Sequence, residues 1–160
     1  MSPATPAAPA PTDFENAVAL VEQTIRKLGL DPGGCRASAA GAVQGSNTSW
    51  TLKRGSASVL VTVTRYDQDK TTYLRAASPI IVLPEDAGKQ TACMRKLLEL
   101  NAAGLANAAF GLAGDRVLAV SERPVEGLGA EEVEQMIRHL AAVADTFDDK
   151  LAKDFGANKA

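Results

Sequence analysis

The side chains able to do chemistry are few and scattered. His139 is the single histidine of the 160-residue chain. It falls beside Leu140, off the apolar stripe of a predicted helix, and reads as a solvated or flanking residue in preference to a general base. The two cysteines, Cys35 and Cys93, stand far apart, form no CxxC pair and have no run of histidines near them to complete a zinc site. They read as reduced thiols. Cys93 lies among apolar residues, where a thiol behaves as a small hydrophobe, and Arg95 and Lys96 sit on other faces of its helix, badly placed to lower its pKa.

Adjacent carboxylates occur at Glu85-Asp86, Glu131-Glu132 and Asp148-Asp149. Neighbours on a helix point about 100° apart, so such pairs rarely converge on one atom. The first two pairs suit helix starts, where negative charge complements the dipole, and the third suits a solvated face. Neither GxGxxG nor GxxxxGKS/T occurs, and Gly33-Gly34 without an apolar strand before it is a turn signal only. No cofactor and no metal site is expected. The catalytic alternative is a small enzyme with a site built from scattered carboxylates and Cys93; the reading preferred over it is a non-catalytic protein-binding module.

Composition narrows the partners. The 17 Lys and Arg against 19 Asp and Glu leave a formal charge of −2, without the positive field that holds a polyanion. Nucleic acid is therefore not expected. No apolar run approaches the twenty or so residues of a bilayer-spanning helix, so no membrane partner is expected either. The opening MSPATPAAPAPT lacks the basic start and apolar stretch of a secretion signal, which makes the cytoplasm the expected compartment.

The elements that must position these side chains can be read from periodicity. Residues 1–11, nearly all Ala and Pro, predict a disordered tail. Thr12 and Glu15 have capping-box spacing and open a helix with Phe14, Val18, Val21, Ile25 and Leu28 on one stripe, stopped at Gly29. Residues 31–47 break the pattern and carry no assignment beyond a possible short strand at Ala42–Gln44. Ser49–Arg54, Ala57–Tyr66 and Thr71–Leu83 then predict an antiparallel meander turning at Gly55-Ser56, with Pro79 marking a bulge or an edge.

Lys89–Ala103 predicts a second helix, Ala108–Leu112 and Arg116–Glu122 a hairpin around Gly114, and Ala130–Phe155 a long last helix ending at Gly156. The last stripe comprises Val133, Met136, Ile137, Leu140, Val143, Ala144, Phe147, Leu151 and Phe155. Glu134 with Arg138 and Asp149 with Lys153 are spaced for ion pairs on its outer face. The predicted fold is α+β: helix, three strands, helix, two strands, helix, with one antiparallel sheet of about five strands packed by helices. It predicts a single domain over 12–156, with residues 157–160 as a second tail.

The second helix offers the one candidate surface. Cys93, Met94, Leu97, Leu98 and Leu100 span a face wider than one packing partner requires, as when one flank serves the sheet and the other a second subunit. These five are the candidate residues for a dimer or partner interface.

Trp50 with Arg54-Gly55-Ser56-Ala57, the run Leu97-Leu98-Glu99-Leu100-Asn101, Phe110-Gly111-Leu112 before Gly114-Asp115, and the ending from Ala144-Asp145 to Phe155-Gly156 resemble the YbjN domain family. That family is similar in fold to the class I chaperones of type III secretion. The resemblance covers roughly residues 14–156. It implies a homodimeric, cytoplasmic domain of the element order above that binds a partner chain, as a chaperone or as a bacterial regulatory adaptor.

Overall fold

A computed structural model describes residues 12–37, 45–68 and 70–160. The Ala/Pro segment and the strand expected at Ala42–Gln44 lie outside these residues.

The first helix, α1 (Asp13–Lys27), starts as its capping box requires: the Thr12 N–H donates to Glu15 Oε2 at 2.7 Å, and the Glu15 N–H donates back to Thr12 Oγ1 at 3.3 Å. Its buried line runs through Ala17, Val21, Thr24 and Ile25, with Phe14, Val18 and Leu28 half-buried beside it. The line lies to one side of the expected stripe because α1 packs against both the sheet and the last helix. Ala17 and Thr24 suit that angle, and Thr24 satisfies its hydroxyl on the Leu20 carbonyl at 3.0 Å.

Within 31–37 the chain forms a four-residue turn of helix, α2 (Pro32–Cys35), and a two-residue strand, β1 (Arg36–Ala37). Asp31 caps α2 by accepting the Gly34 N–H at 2.7 Å. The meander follows as β2 (Gly45–Arg54), β3 (Ala57–Tyr66) and β4 (Thr72–Val82). Arg54 faces Ala57 across the first turn, where Gly55 takes φ +61°, a conformation open to glycine at little cost.

Then come α3 (Ala87–Ala103), β5 (Ala109–Ala113), β6 (Arg116–Pro124) and α4 (Ala130–Phe155). The strands form one antiparallel sheet in the order β1-β2-β3-β4-β6-β5. Among the described residues it has six strands, since the short β1 joins the five that alternation predicts.

Period-two burial decides which face is core. Val59, Val61 and Val63 are buried, as are Trp50 and Leu52 opposite them on β2 and Leu74 and Ala76 on β4. Helix α4 lies across this face and also meets α1 and α3. Val133, Ile137, Leu140 and Leu151 are each at most 1% exposed. Gly156, at φ +62°, closes the helix in the left-handed form. No helix among the described residues buries the opposite face, where Leu60, Thr62, Tyr73 and Leu118 stay half-buried.

Candidate partner-binding surface

Helix α3 is set in place by its start and by the strand it covers. Asp86 accepts the Lys89 N–H at 2.8 Å as N-cap, which accounts for one member of the Glu85-Asp86 pair. Near the far end, Asn101 binds β5 with both ends of its amide. Its Nδ2 donates to the Phe110 carbonyl at 3.1 Å and its Oδ1 accepts the Phe110 N–H at 2.7 Å. β5 is the outermost strand of the sheet, so this side chain does for Phe110 what a further strand would do. The Phe110 ring then meets Phe147 of α4 edge-on, with centroids 5.2 Å apart.

This arrangement divides the five candidate residues. Cys93 and Leu97 are buried at 0% and 5% exposure. They belong to the common core, Leu100 packs half-buried against it, and Met94 is half-buried. Leu98, one step round the helix, is 68% exposed, the most exposed of the large apolar side chains described. Leu112 on β5, at 49%, is another. Leu112 was not among the candidates, although its place at the end of an edge strand beside a hairpin turn is a sequence-level signal of incomplete cover.

Several of the groups that chemistry would need are otherwise engaged. Burial pushes the Cys93 thiol above its ordinary pKa, away from the nucleophilic thiolate. His139 is exposed, as expected, and its Nε2 lies 2.7 Å from the Leu105 carbonyl, which ties the loop entering β5 to α4. Glu132 accepts the Gly129 N–H at 3.0 Å at the start of α4. Asp148 and Asp149 both bind Lys159, at 2.9 and 2.7 Å, so this pair is not a bare solvated face and the expected pairing of Asp149 with Lys153 gives way to a more distant lysine. Glu134 does pair with Arg138, at 2.7 Å, and also with Lys27 of α1 at 2.9 Å. Among the described residues no three His, Cys, Asp or Glu side chains are grouped to hold a metal ion. No described helix is long and apolar enough to cross a membrane.

The family model for the T3SS (YopN, CesT) and YbjN peptide-binding chaperones matches residues 35–160. The chain belongs to this family. Its members are described as peptide-binding chaperones, which bind and do not catalyse. No curated protein matches the chain in sequence.

Solved structures show the same fold at low identity. A chain of the ExsC–ExsE complex is 16% identical at a TM-score of 0.60, with 88% of this chain and 97% of that one covered. A chain of the heterodimeric ExoU–SpcU complex from the type III secretion system of Pseudomonas aeruginosa is 11% identical at 0.54, over 81% and 95%. A chain of the HopA1–SchA chaperone–effector complex is 16% identical at 0.51, over 87% and 99%.

Proposed function

We propose that this peptide-binding chaperone acts as a cytoplasmic homodimer that holds a partner chain, either as a chaperone in the strict sense or as a regulatory adaptor, and that the outer side of α3 with β5 is its subunit contact. The observation that carries this reading is the division of α3: Cys93 and Leu97 face the core, while Leu98 on the next position faces outward at 68% exposure. Removing a leucine of that kind from water contributes about 1.5–3 kcal/mol. A two-fold contact would place the same residues on both sides. Met94 and Leu98, one turn apart on α3, with Leu112 of β5 supply the apolar centre of such a patch, while Leu100, about 200° round the helix from Leu98, packs against the core. The neighbouring structures are of complexes, one of them named as chaperone with effector, which supports a protein as the held partner. A single domain starting at residue 12 is supported by the one core cluster, which draws on every long helix and every strand from β2 to β6; Ala157 packs against it and Lys159 bridges Ile81, so residues 157–160 join the domain and are not the expected tail.

Light scattering tests the contact. The parent should show a dimer mass at micromolar concentration and Leu98→Glu a folded monomer, because the introduced charge meets its own symmetry copy in a desolvated setting. Leu97→Glu, one position away, should lose the fold, since it puts an unpaired charge into the core. A monomeric parent overturns the dimer, and a dimeric, folded Leu98→Glu moves the interface elsewhere.

A further inference from the structure

The ladder between β3 and β4 stops early. It runs from Arg65↔Thr72 to Leu60↔Ala77 and does not reach Pro79, which has no N–H to give. Ser78 Oγ donates to the Ser58 carbonyl at 3.0 Å just before that point. β4 shifts register between Pro79 and Ile81 and continues along β6, with Ile81 opposite Val117. On its other side, the Ile80 carbonyl and the Val82 N–H are left without β3.

Residues 158–160 fill that gap. Lys159 stands opposite Ile81 in an antiparallel bridge. The Val82 N–H donates to the Asn158 carbonyl at 2.8 Å and the Ala160 N–H to the Ile80 carbonyl at 3.2 Å. Lys159 Nζ binds Asp148 at 2.9 Å and Asp149 at 2.7 Å, and each carboxylate helps raise the lysine pKa. A cavity of about 150 Å³ lies alongside, lined by Ser56, Ala57, Pro79, Asp145 and Lys159 among others. The segment Ala157-Asn158-Lys159-Ala160 brings no large apolar side chain. Ala157 is tied to the end of α4 by its N–H on the Ala152 carbonyl at 2.9 Å; beyond it, residues 158–160 are held by two main-chain hydrogen bonds to β4 and one ion-pair cluster with Lys159 48% exposed, a combination of small net worth.

We propose that the Ile80–Val82 edge of β4 is a docking site for an extended peptide strand carrying a lysine or arginine, and that residues 158–160 occupy it as an internal stand-in. The inference rests on the peptide-binding reading above and gives it an address. Any extended chain can supply the two ladder bonds. The Asp148-Asp149 pair selects a cation at the position opposite Ile81. An incoming strand longer than three residues continues past Val82 or into the adjoining cavity and so displaces the resident one.

Amide exchange and resonance shifts in the full chain test this. In Lys159→Glu, the Val82 amide should exchange about tenfold faster than in the parent, with Val61 and Val63 unchanged. A synthetic peptide FGANKA, copying residues 155–160, should shift Ile80 and Val82 in that variant at about a tenth of the concentration the parent needs. FGANEA should not shift them. Asp149→Asn keeps Asp148 and should speed the Val82 amide in the same direction but less. Val82 exchange no faster than that of Val61 in the parent and both variants would make the segment a fixed part of the sheet and overturn the proposal. So would FGANKA shifts confined to α3, or none. Because Lys159 pairs with Asp148 and Asp149 of α4 and not with the Leu98 or Leu112 side chains, a Lys159→Glu protein with the parent's mass and no peptide shift rejects this site alone and leaves the dimer reading standing.

Discussion

Helix α4 buries its whole central stripe from Val133 to Ala144, whereas α3 buries only Cys93 and Leu97 and leaves Leu98 at 68% exposure. Both helices read as amphipathic in the sequence. Their surroundings differ: α4 crosses β3, β4 and β6 and is flanked by α1 and α3, while α3 meets α4 and the outermost strand β5. A helix over the middle of a sheet finds cover for a wide apolar face, and one over its edge does not. The uncovered remainder is what a second chain can use.

The largest effect expected from this contrast is at Leu140, which is 0% exposed on α4. Leu140→Ala should cost about 2–5 kcal/mol in urea unfolding, as removal of a core leucine does. Leu98→Ala in the monomeric state should cost less than about 0.5 kcal/mol. Similar losses at the two positions would break the comparison, because they would put Leu98 in a core.

Asn101 sharpens it from the other side. Its amide is the polar brace of α3 on β5, and Asn101→Ala leaves the Phe110 N–H and carbonyl without their partner. The expected loss is about 1–3 kcal/mol, with faster exchange of the Phe110 amide. The freed edge of β5 should also favour concentration-dependent association by strand pairing. An unchanged Phe110 amide in that variant would mean that the strand edge is protected by something other than this side chain.

Where the residues carry a period, the fold was legible. Alternating β-branched residues gave β3 its limits at Ala57 and Tyr66, and the spacing from Val133 to Phe155 gave α4 both of its ends. The four-residue helix Pro32–Cys35 is too short to show a period and rests on one Asp31 cap. The α3 surface was legible only as a set. Leu97 and Leu98 are both leucine and about 100° apart, so the residues themselves do not say which faces the core; the position of β5 and α4 does. The pairing of residues 158–160 with β4 rests on main-chain groups, which every residue has, and so leaves no mark in composition. Pro79 marked the place where the gap would open, but not what fills it.

The smallest expected effect concerns the outer faces of the two helices. On α3 the one ion pair is internal, Arg95 with Glu99 at 3.0 Å, both side chains more than half exposed. On α4, Glu134 is 17% exposed and reaches across to Lys27 of α1 at 2.9 Å as well as to Arg138. Hydrogen bonds from Lys27 and then Arg138 hold its carboxyl below the ordinary glutamate range. A carboxyl with a lowered folded-state pKa stabilises the fold above its unfolded-state value, and that contribution is lost as pH falls through the folded-state value. Glu134→Gln should therefore lower Tm slightly near neutral pH, and the gap to the parent should close as the solution is acidified. Raised salt should narrow it as well, since the pair lies at the surface. Glu99→Gln on α3 should lower Tm less than Glu134→Gln does near neutral pH, because its partner is on the same helix and no second element is tied. A Glu134→Gln gap that persists in acid would mean that the side chain acts by packing against α1, not by charge, and the outer faces of α3 and α4 would then differ in shape alone.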